Sequence, residues 1–402
     1  MVTRTISCVS VSICFLFVSV LGSGLLAQDS RGLKYNNLTV SPFVNLDYTY
    51  DSNVDYDADV ENSDGMLSIN PGVDLTYKGN EWGLSGSAWY SYDHYLTFDE
   101  LDADRYGESL SFYRESAKGW RLLVGQSYVN SSQNDSIIDG GRGLYRDREQ
   151  FTLTGALSYE LGERTGVTLS GMYSDLDYVN DGNKYGTLYG NQQWTAGLQF
   201  SRKLTEKSNV LLSGSYNEQT SDGTQKVGTQ KTGDTSTGYN LMAGVSSRAT
   251  KRITYSMMTG LEWFNYGDED LLMGWTYSLN ANWLINKKLA ASVSGSSHYQ
   301  PSESEANQAT KVYMLSTGLS YQPMRKLMTR LDVAYRREEN EYDVGVAGAS
   351  TDDVFSVRTR ADYELMRYVS MYGSLEYETR FSDYEDDEFD RYRATLGLQF
   401  RY

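Results

Sequence analysis

Two histidines, His94 and His298, are the only side chains of the 402 whose ordinary pKa suits a general base at neutral pH. His298 follows Ser296-Ser297 and His94 follows Asp93, so the residue types of a nucleophile, a base and an orienting acid occur together. Serine is abundant along the whole chain, and chance proximity is the simpler account, so no catalytic residue is assigned. Asp55, Asp57 and Asp59 imitate the opening ligands of a calcium loop. Val60 stands where that loop needs glycine and Met66 where it needs a bidentate glutamate, so a solvated acidic loop is the better reading. No metal and no cofactor are expected.

A denser set of charges lies in the last quarter, on alternate residues. It comprises Arg330, Asp332 and Arg336, then Arg358, Arg360, Asp362 and Glu364, then Glu376, Glu378 and Arg380, and finally Arg391 and Arg393. Guanidinium and carboxylate groups at that density bind hydrated ions, sugars or one another. Two acidic runs stand apart from these. One holds Asp51, Asp55, Asp57, Asp59, Glu61 and Asp64; the other holds Asp383, Glu385, Asp386, Asp387, Glu388 and Asp390.

The elements that must carry these groups are strands. In the final segment Tyr392, Ala394, Leu396, Leu398, Phe400 and Tyr402 alternate with Arg391, Arg393, Thr395, Gly397, Gln399 and Arg401. That period of two puts every apolar side chain on one face. Leu67 to Tyr77 and Trp275 to Ile285 repeat the pattern. About eighteen such segments are predicted between residues 39 and 402. The stretch 327–337 could also be read as a helix, but its alternation and its context favour a strand.

Connections alternate in length. Tight turns such as Lys78-Gly79-Asn80-Glu81, Asn286-Lys287-Lys288 and Leu365-Met366-Arg367 alternate with polar loops at 51–65, 131–145, 219–235 and 339–352. Short turns on one rim and long loops on the other belong to outer-membrane barrels of Gram-negative bacteria, and an even strand count puts both termini on the periplasmic side. A soluble sandwich or propeller is disfavoured, because strands of 11 or more residues exceed the usual ~5–6. Trp275 and Trp283 share a face at roughly 20 Å separation along the tilted strand, comparable with a ~25 Å apolar band between aromatic girdles. Arginine facing lipid at midplane costs ~2–4 kcal/mol, so the alternating charges must face the lumen. There they either orient permeating ions and sugars or pair among themselves and stiffen the wall; both readings remain open.

Composition agrees. The chain holds 34 Tyr, only 4 Pro, and a net charge of -17, which disfavours a nucleic-acid partner. Arg4, the apolar run from Ile6 to Leu21 and the small residues before Ala27 read as a signal peptide over 1–27, with an N-terminal anchor as the alternative. Both cysteines, Cys8 and Cys14, fall inside it. A short periplasmic segment, 28–38, then leads into the barrel, 39–402.

Ser41-Pro42-Phe43 followed by Leu46-Asp47-Tyr48-Thr49-Tyr50-Asp51-Ser52-Asn53-Val54 resembles the opening strand of the Putative beta-barrel porin 2 family. The resemblance implies an outer-membrane porin-like channel, with some members linked to exopolysaccharide export, and implies no catalytic residues. The expected function is passage of small hydrophilic solutes or service in polysaccharide export. A plugged structural or surface-adhesion barrel is the alternative. Expected partners are outer-membrane lipid and lipopolysaccharide, the barrel insertion machinery that would read Phe400 and Tyr402 as a C-terminal signal, and a periplasmic export partner. The two acidic runs, on loops beside the first and last strands, should flank one mouth of a closed barrel as unpaired carboxylates. They should give weak cation selectivity that fades with salt. Divalent cations could bridge the first run to lipopolysaccharide.

Overall fold

The computed structural model describes residues 32–56, 61–134, 145–178, 190–221, 224–226, 229–231, 235–266, 271–301, 307–342, 350–383 and 388–402. The alternating segments form strands, eighteen of them in one closed antiparallel ring. A three-residue strand, β1 (Leu33–Tyr35), precedes the ring and pairs with its first strand. The first half of the ring is β2 (Leu38–Asp51), β3 (Asp64–Lys78), β4 (Trp82–Tyr95), β5 (Ala103–Glu115) and β6 (Trp120–Asn134), then β7 (Tyr145–Gly162), β8 (Thr165–Tyr178), β9 (Asn191–Lys203) and β10 (Ser208–Ser221). A small hairpin, β11 (Thr224–Lys226) and β12 (Thr229–Lys231), stands apart from it. The second half is β13 (Thr235–Ser247), β14 (Ile253–Tyr266), β15 (Leu272–Asn286), β16 (Leu289–Pro301) and β17 (Asn307–Met324), then β18 (Leu327–Tyr342), β19 (Ser350–Met366), β20 (Val369–Ser382) and β21 (Phe389–Arg401). The 327–337 stretch is strand, not helix.

Each ring strand pairs with its neighbours in sequence, and β21 pairs with β2 from Phe43↔Arg401 to Asp51↔Arg393. Closure leaves no free edge, as a lipid-exposed sheet demands. The pleat then fixes two faces. Leu396 is 66% exposed and Tyr392 58%, whereas Arg391, next to Tyr392 on the opposite face, is 6% exposed. Trp275 and Trp283 both point outward. Ladders run two to four residues further toward the long loops than alternation predicts, in β3, β17, β18 and β19, because pairing outlasts the apolar pattern at that rim.

The outer face carries two aromatic belts. At the short-turn rim Tyr77 stacks on Trp82 at 4.5 Å and Tyr368 on Tyr402 at 5.1 Å. At the long-loop rim the tyrosines pair with acids: Tyr92 Oη donates to Asp102 at 3.2 Å, Tyr335 to Asp353 at 2.6 Å and Tyr377 to Asp390 at 2.8 Å. Tyr90 to Asp104 and Tyr216 to Glu218 repeat the arrangement.

The wall is not evenly curved. Gly244 and Gly260 face inward on β13 and β14, and an added Cβ would stand 2.0 Å from the Met257 carbonyl oxygen and 1.9 Å from that of Leu241. Only glycine admits that approach, so the wall creases here. Leu211, Met242 and Met258 pack together on the inner side of the crease.

Candidate functional site

The lumen is the candidate site, and the inward charges decide its character. From β18 through β21 they pair with one another. Glu376 takes Arg358 at 2.7 Å and Arg393 at 3.0 Å; Arg380 meets Asp352 at 3.2 Å; Arg360 meets Asp362 at 2.7 Å and lies 3.9 Å from the Tyr372 ring. Arg336 pairs with Glu338. The network crosses the seam: Tyr372 Oη donates to Asp47, and Arg401 meets Asp74 at 2.9 Å. It continues to Asp93 and Arg105 on β4 and β5. Asp47, Asp74 and Asp93 sit on the inward phase of β2, β3 and β4, so the alternation that marks the charges of β18–β21 marks these three as well. Glu364 is half-buried near the short-turn end. Among the described residues, Arg330, Asp332 and Glu378 make no ion pair; Arg330 is exposed to the lumen opposite Arg360.

The long-loop mouth differs from the expected ring of free carboxylates. Asp51 is buried, with Arg391 Nε donating to its two oxygens at 2.9 and 3.0 Å. The residues that follow it, up to Tyr56, turn inward, leaving Asn53 0%, Val54 1% and Tyr56 7% exposed. Arg391 lies 4.1 Å from the Tyr56 ring, and Phe389 meets that ring edge-on at 5.1 Å. Burial pushes the Tyr56 phenol up to about 12, against the pull of Arg391. Asp64 is buried as well, accepting backbone N–H bonds from Gly65, Thr97 and Phe98 at 2.7 to 3.0 Å. Carboxylates that satisfy buried donors are no longer free mouth charge. Asp55 accepts from Asn62, Asp383 from the Thr351 amide, Glu388 from the Ser382 amide, and Asp390 from Tyr377 on the outer face. Glu61 is exposed. Asp57, Asp59, Glu385, Asp386 and Asp387 lie outside the described residues.

A second segment enters the mouth. The β15–β16 ladder ends at Tyr277↔Ser297, whereas β16–β17 runs on to Pro301↔Ala309 and β14–β15 to Phe264↔Leu272. Beyond Ser297 the β16–β17 end therefore leaves the wall and bends across its inner face. Lys311, on the phase of β17 that elsewhere meets lipid, reaches Glu262 on the inner face of β14 at 2.9 Å. The Tyr299 amide donates to the same carboxylate at 3.0 Å, and Lys311 Nζ lies 3.9 Å from the Tyr299 ring. That ring covers Gly274, where a Cβ would meet its hydroxyl at 2.8 Å. The sequence marks this inversion only by Lys311 itself, a charge on the phase of β17 that lipid would otherwise meet.

Below the bent end lies a chamber of about 440 Å³, lined by Asn240, Ser278, Asn280, Ser296, Ser316 and Arg336 among others. Small hydroxyl and amide side chains leave this space open, facing the ion-paired wall. The two histidines do not share a site. His298 is buried on the inner phase beside the chamber. His94 is on the outer face, where its Nδ1 lies 2.7 Å from Asp102. Burial raises the Asp102 pKa, but bonds from His94 and the Tyr95 amide outweigh it and hold the carboxyl below its ordinary value.

Among solved structures the chain is similar to the siderophore receptor PirA of Pseudomonas aeruginosa, at 8% identity and a TM-score of 0.46, over 90% of this chain and 80% of that one. It is similar to the FrpB iron transporter of Neisseria meningitidis, at 10% identity and 0.48, over 92% and 82%. A third likeness is to the outer membrane protein OpdK of Pseudomonas aeruginosa, at 11% and 0.44, over 90% and 99%. No protein of curated function matches the chain. The sequence model of a porin family covers residues 27–402, and the girdled, closed ring belongs in the outer membrane. The chain is a member of the Putative beta-barrel porin 2 family.

Proposed function

We propose that this barrel is a narrow aqueous channel for small hydrophilic solutes. The observation that carries the reading is the chamber bordered by Ser278, Asn280, Ser296 and Ser316 beside the paired charges of Arg336 and Glu262: hydroxyls and amides replace water around a solute without binding it tightly. A barrel of 16–18 strands is wide enough for an aqueous pore. The opposite wall contributes little net field, because its arginines are nearly all matched by carboxylates. Both termini and the short turns lie on the periplasmic side in this reading, the first 27 residues act as a signal peptide, and the long loops meet lipopolysaccharide. Service in polysaccharide export follows from the family alone and would require a periplasmic partner at the short turns. No catalytic role is proposed for His94 or His298.

The alternative, a plugged structural or adhesive barrel, is favoured by the two segments that enter the mouth around Tyr56 and Tyr299. Conductance across a planar bilayer separates the two. Discrete steps that grow with salt support the channel; a silent, fully folded barrel would establish the plug.

A further inference from the structure

The outer wall from β16 to β21 holds a groove of about 1030 Å³ that opens toward lipid. Tyr321, Thr329, Ala361, Gly373 and Leu396 form one ladder row across it. The floor is made by the small residues Thr329, Thr359, Ala361, Gly373 and Ala394, and its sides by Leu319 and Leu331 against Leu375 and Leu396. On a surface already facing hydrocarbon, such a channel admits an extended acyl chain.

The short turns on this side of the barrel supply the second observation. Residues 248–252, 286–288, 323–326 and 365–367 contain Arg248, Lys251, Arg252, Lys287, Lys288, Arg325, Lys326 and Arg367, and no Asp or Glu. Lys287-Lys288 immediately precede Leu289, which lines the groove, and Arg325-Lys326 stand between its Tyr321 and Thr329. Lys288 donates to the Pro323 carbonyl at 2.7 Å and Arg367 lies 5.2 Å from the Tyr368 ring. Lys287, Arg325 and Lys326 are exposed and, among the described residues, make no ion pair.

We infer that this sector holds one anionic glycerophospholipid, its acyl chain in the groove and its phosphate over Lys288, Arg325 and Lys326. Basic clusters beside a membrane attract anionic headgroups, and here the apolar groove adds a fixed seat for the chain. A zwitterionic lipid brings its own ammonium and meets these bases less well. The inference rests on the proposed orientation, in which the short-turn rim adjoins the periplasmic leaflet, where glycerophospholipids reside.

Native mass spectrometry of the full-length folded protein, in detergent with phosphatidylglycerol, phosphatidylethanolamine or lipid A, tests it. Phosphatidylglycerol should be retained as a single adduct. The variant K287Q/K288Q/R325Q/K326Q should weaken retention by about tenfold or more, given the pull each base exerts at a membrane surface. Ala361→Phe, which fills the groove floor, should weaken it too. Neutralising Lys78, Lys118, Arg164 and Lys207 on the other short turns should not. Heat-dependent gel mobility confirms that each variant is folded. Equal retention of phosphatidylethanolamine, preference for lipid A, or equal loss in the control variant would overturn the site. Orientation is scored separately with Lys287→Cys, by labelling intact cells with an impermeant maleimide. Labelling there would overturn the leaflet assignment, whatever the lipid preference.

Discussion

Arg391 and Asp51 stand 340 positions apart in sequence and share a bidentate ion pair across the seam of the barrel, which joins the last strand to the first. Both are buried, and Tyr56 covers the guanidinium. Removing one partner of a buried pair strands the other charge, at about 3–5 kcal/mol, whereas removing both costs less. Asp51→Ala and Arg391→Ala should each lower the temperature at which the folded band disappears on an unheated gel. The double variant should lose less than the sum of the two. Additive losses would mean that the residues act independently.

Ion selectivity follows from which charges remain unmatched. The inner arginines are largely paired, whereas Glu61 at the long-loop rim is exposed and the chain is acidic overall. Reversal potentials in a potassium chloride gradient should therefore show weak cation preference that fades as salt screens the rim beyond ~8–10 Å. Arg330, which makes no ion pair among the described residues, is the exception inside, and Arg330→Glu should strengthen cation preference. An unchanged reversal potential in that variant would place Arg330 outside the ion path.

The bent end of β16–β17 is held by the buried pair Lys311–Glu262. Glu262→Gln with Lys311→Met removes both charges and the bond that holds the segment against the wall. The expected result is a larger single-channel conductance with little loss of the folded band. Unchanged conductance would show that the bent end does not narrow the path.

The outward phase was legible in the sequence, since lipid forces every second residue to be apolar and the seam and strand order follow from it. The positions of Tyr299 and Lys311 were not. A lysine on the lipid phase hints that the segment leaves the wall, but only the early end of the β15–β16 ladder shows where that phase turns inward. Tyr56 was hidden for a related reason: a polar loop gives no periodic signal, and one aromatic among acids reads as solvated. The paired state of Asp51 and Asp64 depends on partners from distant strands, so counting carboxylates along the chain overstated the charge at the mouth.

The loop before β5 should resist acid. Asp102 has its folded pKa depressed by His94 and the Tyr95 amide. Its contribution is complete above the unfolded carboxyl value, about pH 4, and is lost as pH falls through the lower folded value. Hydrogen exchange at the Tyr95 amide should stay slow through about pH 4 and quicken below it. Asp102→Asn should abolish that pH dependence; persistence of the dependence in the variant would assign it to another group.

The end of β21 serves closure and, we expect, recognition by the insertion machinery. The Tyr402 amide donates to the Pro42 carbonyl at 3.0 Å, and its ring stacks on Tyr368. Deleting 393–402 should abolish assembly through loss of the seam alone. Phe400→Ser with Tyr402→Ser keeps the backbone bonds. If recognition matters, that variant should accumulate unassembled in the periplasm yet refold in detergent; normal assembly would leave closure as the only role.

The tyrosine–carboxylate belt at the long-loop rim has a consequence for how the barrel floats. An interfacial phenol ordinarily finds its hydrogen-bond acceptor in a lipid headgroup, which ties the height of a membrane protein to the headgroups around it. Here Tyr92, Tyr335 and Tyr377 bring their own acceptors, Asp102 in the loop before β5 and Asp353 and Asp390 on adjacent strands. The rings are free to settle where their apolar edges meet hydrocarbon, so at this rim the apolar band, and not the identity of the surrounding headgroups, sets the depth of the phenols.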